Sequence, residues 1–191
     1  MLAVQESPRR LVPERTFPPY AYTGDPQPHP ARHPDGHSFG VPEEAPGPLV
    51  SERWQESRAY LHGFDLFNWG YYWEAHEAWE GLWNAAGRRG AAAEFFKGLI
   101  KLAAAGVKVR QGMASGVRKH ARRAIAHFGR VADAGEREFA GFVLADLLAF
   151  ATRIETEAAN WPKMEGDGPA VVFDQPLVPR VRSDTGCHDP R

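Results

Sequence analysis

From Ser51 to about Asn160 the chain drops its prolines, and apolar residues recur at three- and four-residue spacing. That is the period of helices packed through one face. A first helix is expected from Ser51, a suitable N-cap, with Trp54, Leu61, Phe64 and Asn68 on one stripe. Asn68-Trp69-Gly70 reads as its end, because Gly70 is free to take positive φ. A second helix is predicted from about Tyr71 to Ala86, stopped by Gly87-Arg88-Arg89-Gly90, and a third from about Ala91 to Gln111. Gly112 and the pair Ser115-Gly116 mark the next break. A fourth covers about Val117 to Ala132. The fifth, about Glu136 to Ala159, places Phe139, Val143, Leu147, Phe150 and Ile154 on one face. The pattern shows neither strand pairs nor repeats. It predicts an all-α, mostly antiparallel bundle of about five helices.

The flanks differ. Residues 1–50 hold eleven of the sixteen prolines, which precludes a helix or a central strand. They read as an extended arm whose Phe17, Tyr20, Tyr22 and Phe39 could dock it onto the bundle, residues 51–160. Residues 161–191 return to proline, glycine and polar composition, an irregular C-terminal tail.

Within the second helix, "EAHEAWEGLW" (residues 74–83) concentrates one histidine, three glutamates and two tryptophans. At about 100° per residue, Trp69, Tyr72, Trp73, His76, Trp79, Glu80 and Trp83 share one arc, predicted to face the core. His76 and Glu80 lie in its middle, one turn apart. Glu77 flanks it, and Glu74 is expected to face solvent. A buried carboxylate needs a partner, and His76 is the nearest. Three readings stand: a structural His76–Glu80 pair, a small-ligand site, or a metal site. "HEAWE" resembles the zincin helix H-E-x-x-H with Glu80 in place of the second histidine. Two ligands from one helix are too few for tight zinc binding, and His62, His120 or His37 would have to supply the rest. Such a set is not expected to converge, so neither a metal nor another cofactor is assigned. Asn68 joins His76, Glu77 and Glu80 as the candidate polar site.

Composition narrows the classes. With 43% hydrophobic residues the chain can build a sizeable core, and a formal net charge of −1 selects neither nucleic acid nor an anionic membrane. Cys187 is the only cysteine, so intramolecular disulfides and thiolate clusters are excluded. No run is apolar enough to span a bilayer, and no secretion signal opens the sequence, so a cytoplasmic protein is expected. Charge is nevertheless segregated. From Arg88 to Arg130 there are eleven Lys or Arg and one acid, Glu94, whereas Ala132 to Asp167 holds eight acids against three bases. Lys97, Lys101 and Lys108 share a face of the third helix, and Lys119 and Arg123 a face of the fourth. They are candidates for anion or RNA binding, with a solvated face the favoured alternative. Asp146 is expected to be buried on the fifth helix. His29, His33 and His37, spaced by four in the arm, form a weak metal tract.

Two separated segments, "FNWGYYWEAHEAWEGLW" and "EFFKGLIKLAAAGVKVRQG", together make up about a fifth of the chain. In order and spacing they resemble the bacterial and archaeal family catalogued as domain of unknown function 309. That family shows Asn, Gly and an aromatic, then E-x-H-E, then Trp and a "FFKGLIQ-AAA" helix. Here Lys101 stands where a glutamine is common, and "GVKVRQG" replaces an aromatic and histidine ending. The resemblance implies a small helical bundle and no established activity, cofactor or substrate.

The expected function is therefore a binding or interaction module for an unidentified small ligand or protein. Its rival is a metal-dependent or acid/base hydrolase, with Glu80 or Glu77 as base and His76 as ligand or acid. Nucleic acid is a disfavoured partner, and a homo-oligomer is compatible with the sequence.

Overall fold

The computed structural model describes residues 8–24, 26–42, 45–161, 166 and 168–180. Cys187 lies outside them. Five α-helices form the body: α1 (Arg58–Asn68), α2 (Tyr72–Ala85), α3 (Gly90–Arg110), α4 (Ala114–Asp133) and α5 (Leu144–Thr156). Each packs on its neighbour in sequence, so the chain folds as the all-α bundle that its periodicity predicts.

The boundaries show where local chemistry overrides period. Ser51 does not cap α1. Residues Ser51–Glu56 form a 3₁₀ turn, broken at Arg53 by φ −123°, and Ser57 caps the helix instead, accepting from the Tyr60 amide at 3.4 Å. α1 ends as expected. The Gly70 amide donates to Phe67 O and the Tyr71 amide to Leu66 O, a Schellman motif with Gly70 at φ +85°. A side chain there would also meet the backbone of Ala170 at 2.6 Å. Gly63 serves a different need. Its bare face lets the Trp79 indole lie flat on α1, where a Cβ would sit 2.2 Å from Nε1.

The fifth helix is shorter than predicted, and a strand pair precedes it. β1 (Glu138–Phe139) and β2 (Phe142–Val143) form a minimal antiparallel hairpin, with Phe139 opposite Phe142. Its central residues, Ala140 at φ 47° and Gly141 at φ 86°, both take positive φ, as a type I′ turn requires. An alanine there costs about 1–2 kcal/mol. The conformation is held from both sides: the Ala140 amide donates to Ser51 Oγ at 3.0 Å, and its carbonyl accepts from Tyr60 Oη at 2.7 Å. Phe139 and Phe142 enter the core, a three-residue spacing that also fits a helix. Val143, placed on the apolar face by sequence, is exposed, and so is Asp146.

Arm and tail belong to the same core. Val12 and Ala21 from the arm and Val172, Phe173 and Leu177 from the tail join it. Phe17 stacks on Tyr71 at 4.9 Å. Tyr20 meets His37, and Tyr22 meets Trp73. Phe39 does not dock and is exposed. Buried Asp65 on α1 accepts from the amides of Leu11 at 2.7 Å and Val12 at 2.8 Å, with Arg10 at 3.7 Å. Asn68 plays the matching part for the tail. Its side-chain amide donates to Leu177 O and accepts from Leu177 N, both at 2.8 Å, as a strand neighbour would.

Candidate functional site on the face of α2, α3 and α4

α2 is rotated from its expected orientation. It buries Tyr72, Ala75, Trp79 and Leu82, and with them Glu74, whereas Trp73, His76, Glu80 and Trp83 are only partly covered. The expectation of a sealed His76–Glu80 pair and a solvated Glu74 is thus reversed. The reason is the arm. Glu74 Oε1 accepts from the Tyr22 amide at 2.9 Å and faces His37 Nε2 at 3.2 Å, so donors from a distant segment satisfy one oxygen of a buried carboxylate, while Oε2 makes no hydrogen bond among the described residues. Its side chain is 6% exposed, and that of Glu80 is 43% exposed.

The open side carries the suspect residues. His76 stacks on Trp73 with ring centroids 5.6 Å apart and planes within 5°. Tyr22 and His29 of the arm also meet Trp73, both with planes near perpendicular to it. His76 Nδ1 lies 3.3 Å from Glu77 Oε1 and 3.9 Å from Glu80 Oε2, and these donor atoms all fall within 4.8 Å of one another. The histidines considered as further metal ligands sit elsewhere: His37 is on Glu74, His62 stacks with Phe17, and His120 is among lysines. The rings of His29, His33 and His37 do not gather either. His29 and His33 Nδ1 each accept an amide two residues on, and His37 Nδ1 pairs with Ser38. Asn68, holding the tail, takes no part in the His76 cluster.

α3 lies between α2 and α4 and contributes the cations. Lys97 is partly used: it pairs with Glu94 at 3.5 Å and sits 5.5 Å from the Trp83 ring centroid. Glu94, the lone acid of the basic stretch, also takes His127 at 2.7 Å and Arg130 at 3.0 Å. Burial works to raise its pKa, but those two hydrogen bonds outweigh it, and the carboxyl is held below its usual range. The remaining cations converge on His120. Burial, then Lys101, Lys108, Arg123 and Lys119 in that order push its imidazole down to about 4. Lys101 stands at the junction. Burial and Arg123 lower its pKa, and Glu80 pulls the other way. Among the described residues no carboxylate lies within ion-pair distance of Lys101, Lys119 or Arg123. Lys108 donates to Gln111 Oε1 at 2.7 Å.

The face is open, with carboxylates on α2 and cations on α3 and α4. Two cavities lie away from it. One of about 890 Å³ is lined by the 3₁₀ turn, the hairpin and residues 175–178, and one of about 220 Å³ lies between α1 and residues 171–176.

The family model described as domain of unknown function, DUF309, matches residues 60–120. This segment is a DUF309 domain. It runs from the start of α1 to His120, and so contains Trp73, His76, Glu77, Glu80, Lys97, Lys101, Lys108 and Lys119. Arg123, the arm and the tail fall outside the DUF309 match. A search of curated proteins gives no match. Among the described residues no helix is long and apolar enough to cross a membrane.

Sequence reasoning missed Glu74, Asp65 and Glu94. The first two accept from backbone amides more than fifty residues away, beyond the reach of a helical wheel. Glu94 could have been found, because a single acid among eleven bases is a natural point of convergence.

Proposed function

We propose that the chain is a binding module whose ligand is a small anion seated between α3 and α4. The observation that carries this reading is the group of cations Lys101, Lys108, Arg123 and Lys119 on α3 and α4, whose charges act together on His120, an imidazole kept neutral first by burial and then by their field. Like charges brought together without carboxylate partners repel one another, and an anion relieves that repulsion. A long polyanion fits less well. Its backbone would run on toward Glu77 and Glu80, which are half-exposed and of the same sign.

Calorimetric titration with inorganic phosphate tests the reading. Binding should be saturable, weaken with added salt, and fall at least about tenfold in Lys101→Met and Arg123→Gln. Absence of saturable binding in the unaltered protein sinks it.

A second reading rests on the donors of His76, Glu77 and Glu80, within 4.8 Å of one another. Three protein ligands plus water is the composition of a catalytic zinc site, which would make the module a metal-dependent hydrolase. The Lys101 ammonium opposes it, because a cation beside Glu80 competes with a metal. Zinc or manganese retained stoichiometrically by tag-free protein and lost in His76→Ala would put this reading first.

A further inference from the structure

The two ends of α4 carry opposite charge. Near its start Arg118 and Lys119 are exposed, and among the described residues no carboxylate lies within ion-pair distance of either. The helix closes on Asp133 and is followed by Glu136, both exposed. The helix dipole, positive at the start and negative at the end, adds to each. At 1.5 Å per residue Lys119 and Asp133 are about 21 Å apart along the axis. That is about twice the screening length of roughly 8–10 Å in ordinary salt, so the two ends do not neutralise each other within one molecule.

Each end also has an apolar feature of fitting shape. Met113, the N-cap residue of α4, is 47% exposed beside the cations. Beyond the acidic end lies the cavity of about 890 Å³, which plays no part in the anion site. Val143 and Val178 line it and are 42% and 39% exposed, unusual for valines. Four acids line it against two arginines, Arg137 and Arg180. Of the acids, Glu52, Glu136 and Asp146 have no cation within ion-pair distance among the described residues. A flexible thioether fills an irregular apolar recess well, and here unpaired cations flank the thioether while unpaired acids ring the recess.

We propose that this groove receives the start of α4 from a second copy of the chain. Met113 enters the recess, and Arg118 and Lys119 meet Glu52, Glu136 and Asp146. One contact thereby covers the exposed valines and pairs the charges left over at both ends. The two surfaces differ, so the association is head-to-tail, and each dimer retains an empty groove and an uncovered Met113 to which further copies add.

Sedimentation velocity on the full chain tests this. In about 50 mM sodium chloride the average mass should rise with protein concentration, and in about 500 mM it should return to that of the monomer. Glu136→Lys/Asp146→Lys removes the acceptor, and Met113→Asp/Arg118→Glu removes the donor. Each double variant alone should stay monomeric. Mixed in equal amounts they should form a dimer that grows no further, because the first contributes its Met113 end and the second its groove. All four altered side chains are exposed, so circular dichroism should match the parent and is checked first. A monomer at every concentration and salt, assembly that survives either double variant, or a mixture that stays monomeric overturns the proposal. Lys119 alone is shared with the anion site, so phosphate binding and self-association stand or fall separately.

Discussion

Glu74 and Glu80 lie on one helix, less than two turns apart, yet they belong to different regions of the molecule. Glu74 is on the closed side of α2, where the arm crosses it and supplies an amide and an imidazole. Glu80 is on the open side, beside His76 and within the field of Lys101. The residue type is the same and so is the helix. What differs is whether a distant segment arrives with donors. Burial of a carboxylate is decided by its partners and not by its position on the wheel.

The sharpest way to break this comparison is Glu74→Ala. It strands the Tyr22 amide and His37 under the arm and should cost about 2–4 kcal/mol in urea denaturation. Limited proteolysis should then cut the arm faster. A loss no larger than that of an exposed residue would show that the closed side is not held by this carboxylate. Asp65→Asn tests the same side at the other anchor. An asparagine keeps one acceptor oxygen and turns an NH2 donor toward the other backbone amide, so one of the two hydrogen bonds is lost, and about 1–3 kcal/mol is expected by the same measurement.

On the open side, pH supplies the next test. The His120 pKa falls from 6.5 to about 4 on folding, through burial and then the surrounding cations. The unfolded chain therefore binds this proton more readily. The stabilisation from a neutral His120 is complete above pH 6.5 and is lost as pH falls toward 4. His120→Gln should flatten that acid limb, read from urea midpoints across this range. Phosphate in the buffer should flatten it too, by favouring the imidazolium. The smallest effect is expected from Glu80→Ala, less than about 0.5 kcal/mol on stability. A loss matching that of Glu74→Ala would restore the buried His76–Glu80 pair.

Much of the bundle was legible in the sequence, because period and punctuation agree: Gly70 and Gly112 end helices where predicted. The hairpin was not. Phe139 and Phe142 keep a helical spacing, and an alanine rather than an asparagine or glycine occupies the first left-handed position. The candidate site was half legible. His76, Glu77 and Glu80 do gather, and Lys101, Lys108, Lys119 and Arg123, though not Lys97, all act on the charge of His120. Their exposure was misjudged, because the rotation of α2 is set by Gly63 admitting Trp79 and by the arm claiming Glu74. Both are contacts between residues that a single-helix reading treats as independent.

The clasp between Asn68 and Leu177 bears on the order in which the chain can complete itself. Asn68 leaves the ribosome long before its partner, 109 residues later. The arm faces the opposite delay, since Leu11 and Val12 are made 53–54 residues before the aspartate that receives them. During synthesis α1 and α2 therefore have one covering available early and the other only at the end. Contacts of such long sequence separation form slowly. A nascent chain stalled before Phe173 would hold its helices while leaving Phe67 without the ring that stacks on it and Tyr72 without the ring that meets it edge to face. Such an intermediate exposes aromatic surface at one defined place, which makes the last residues of the fold the ones that end its exposure to aggregation.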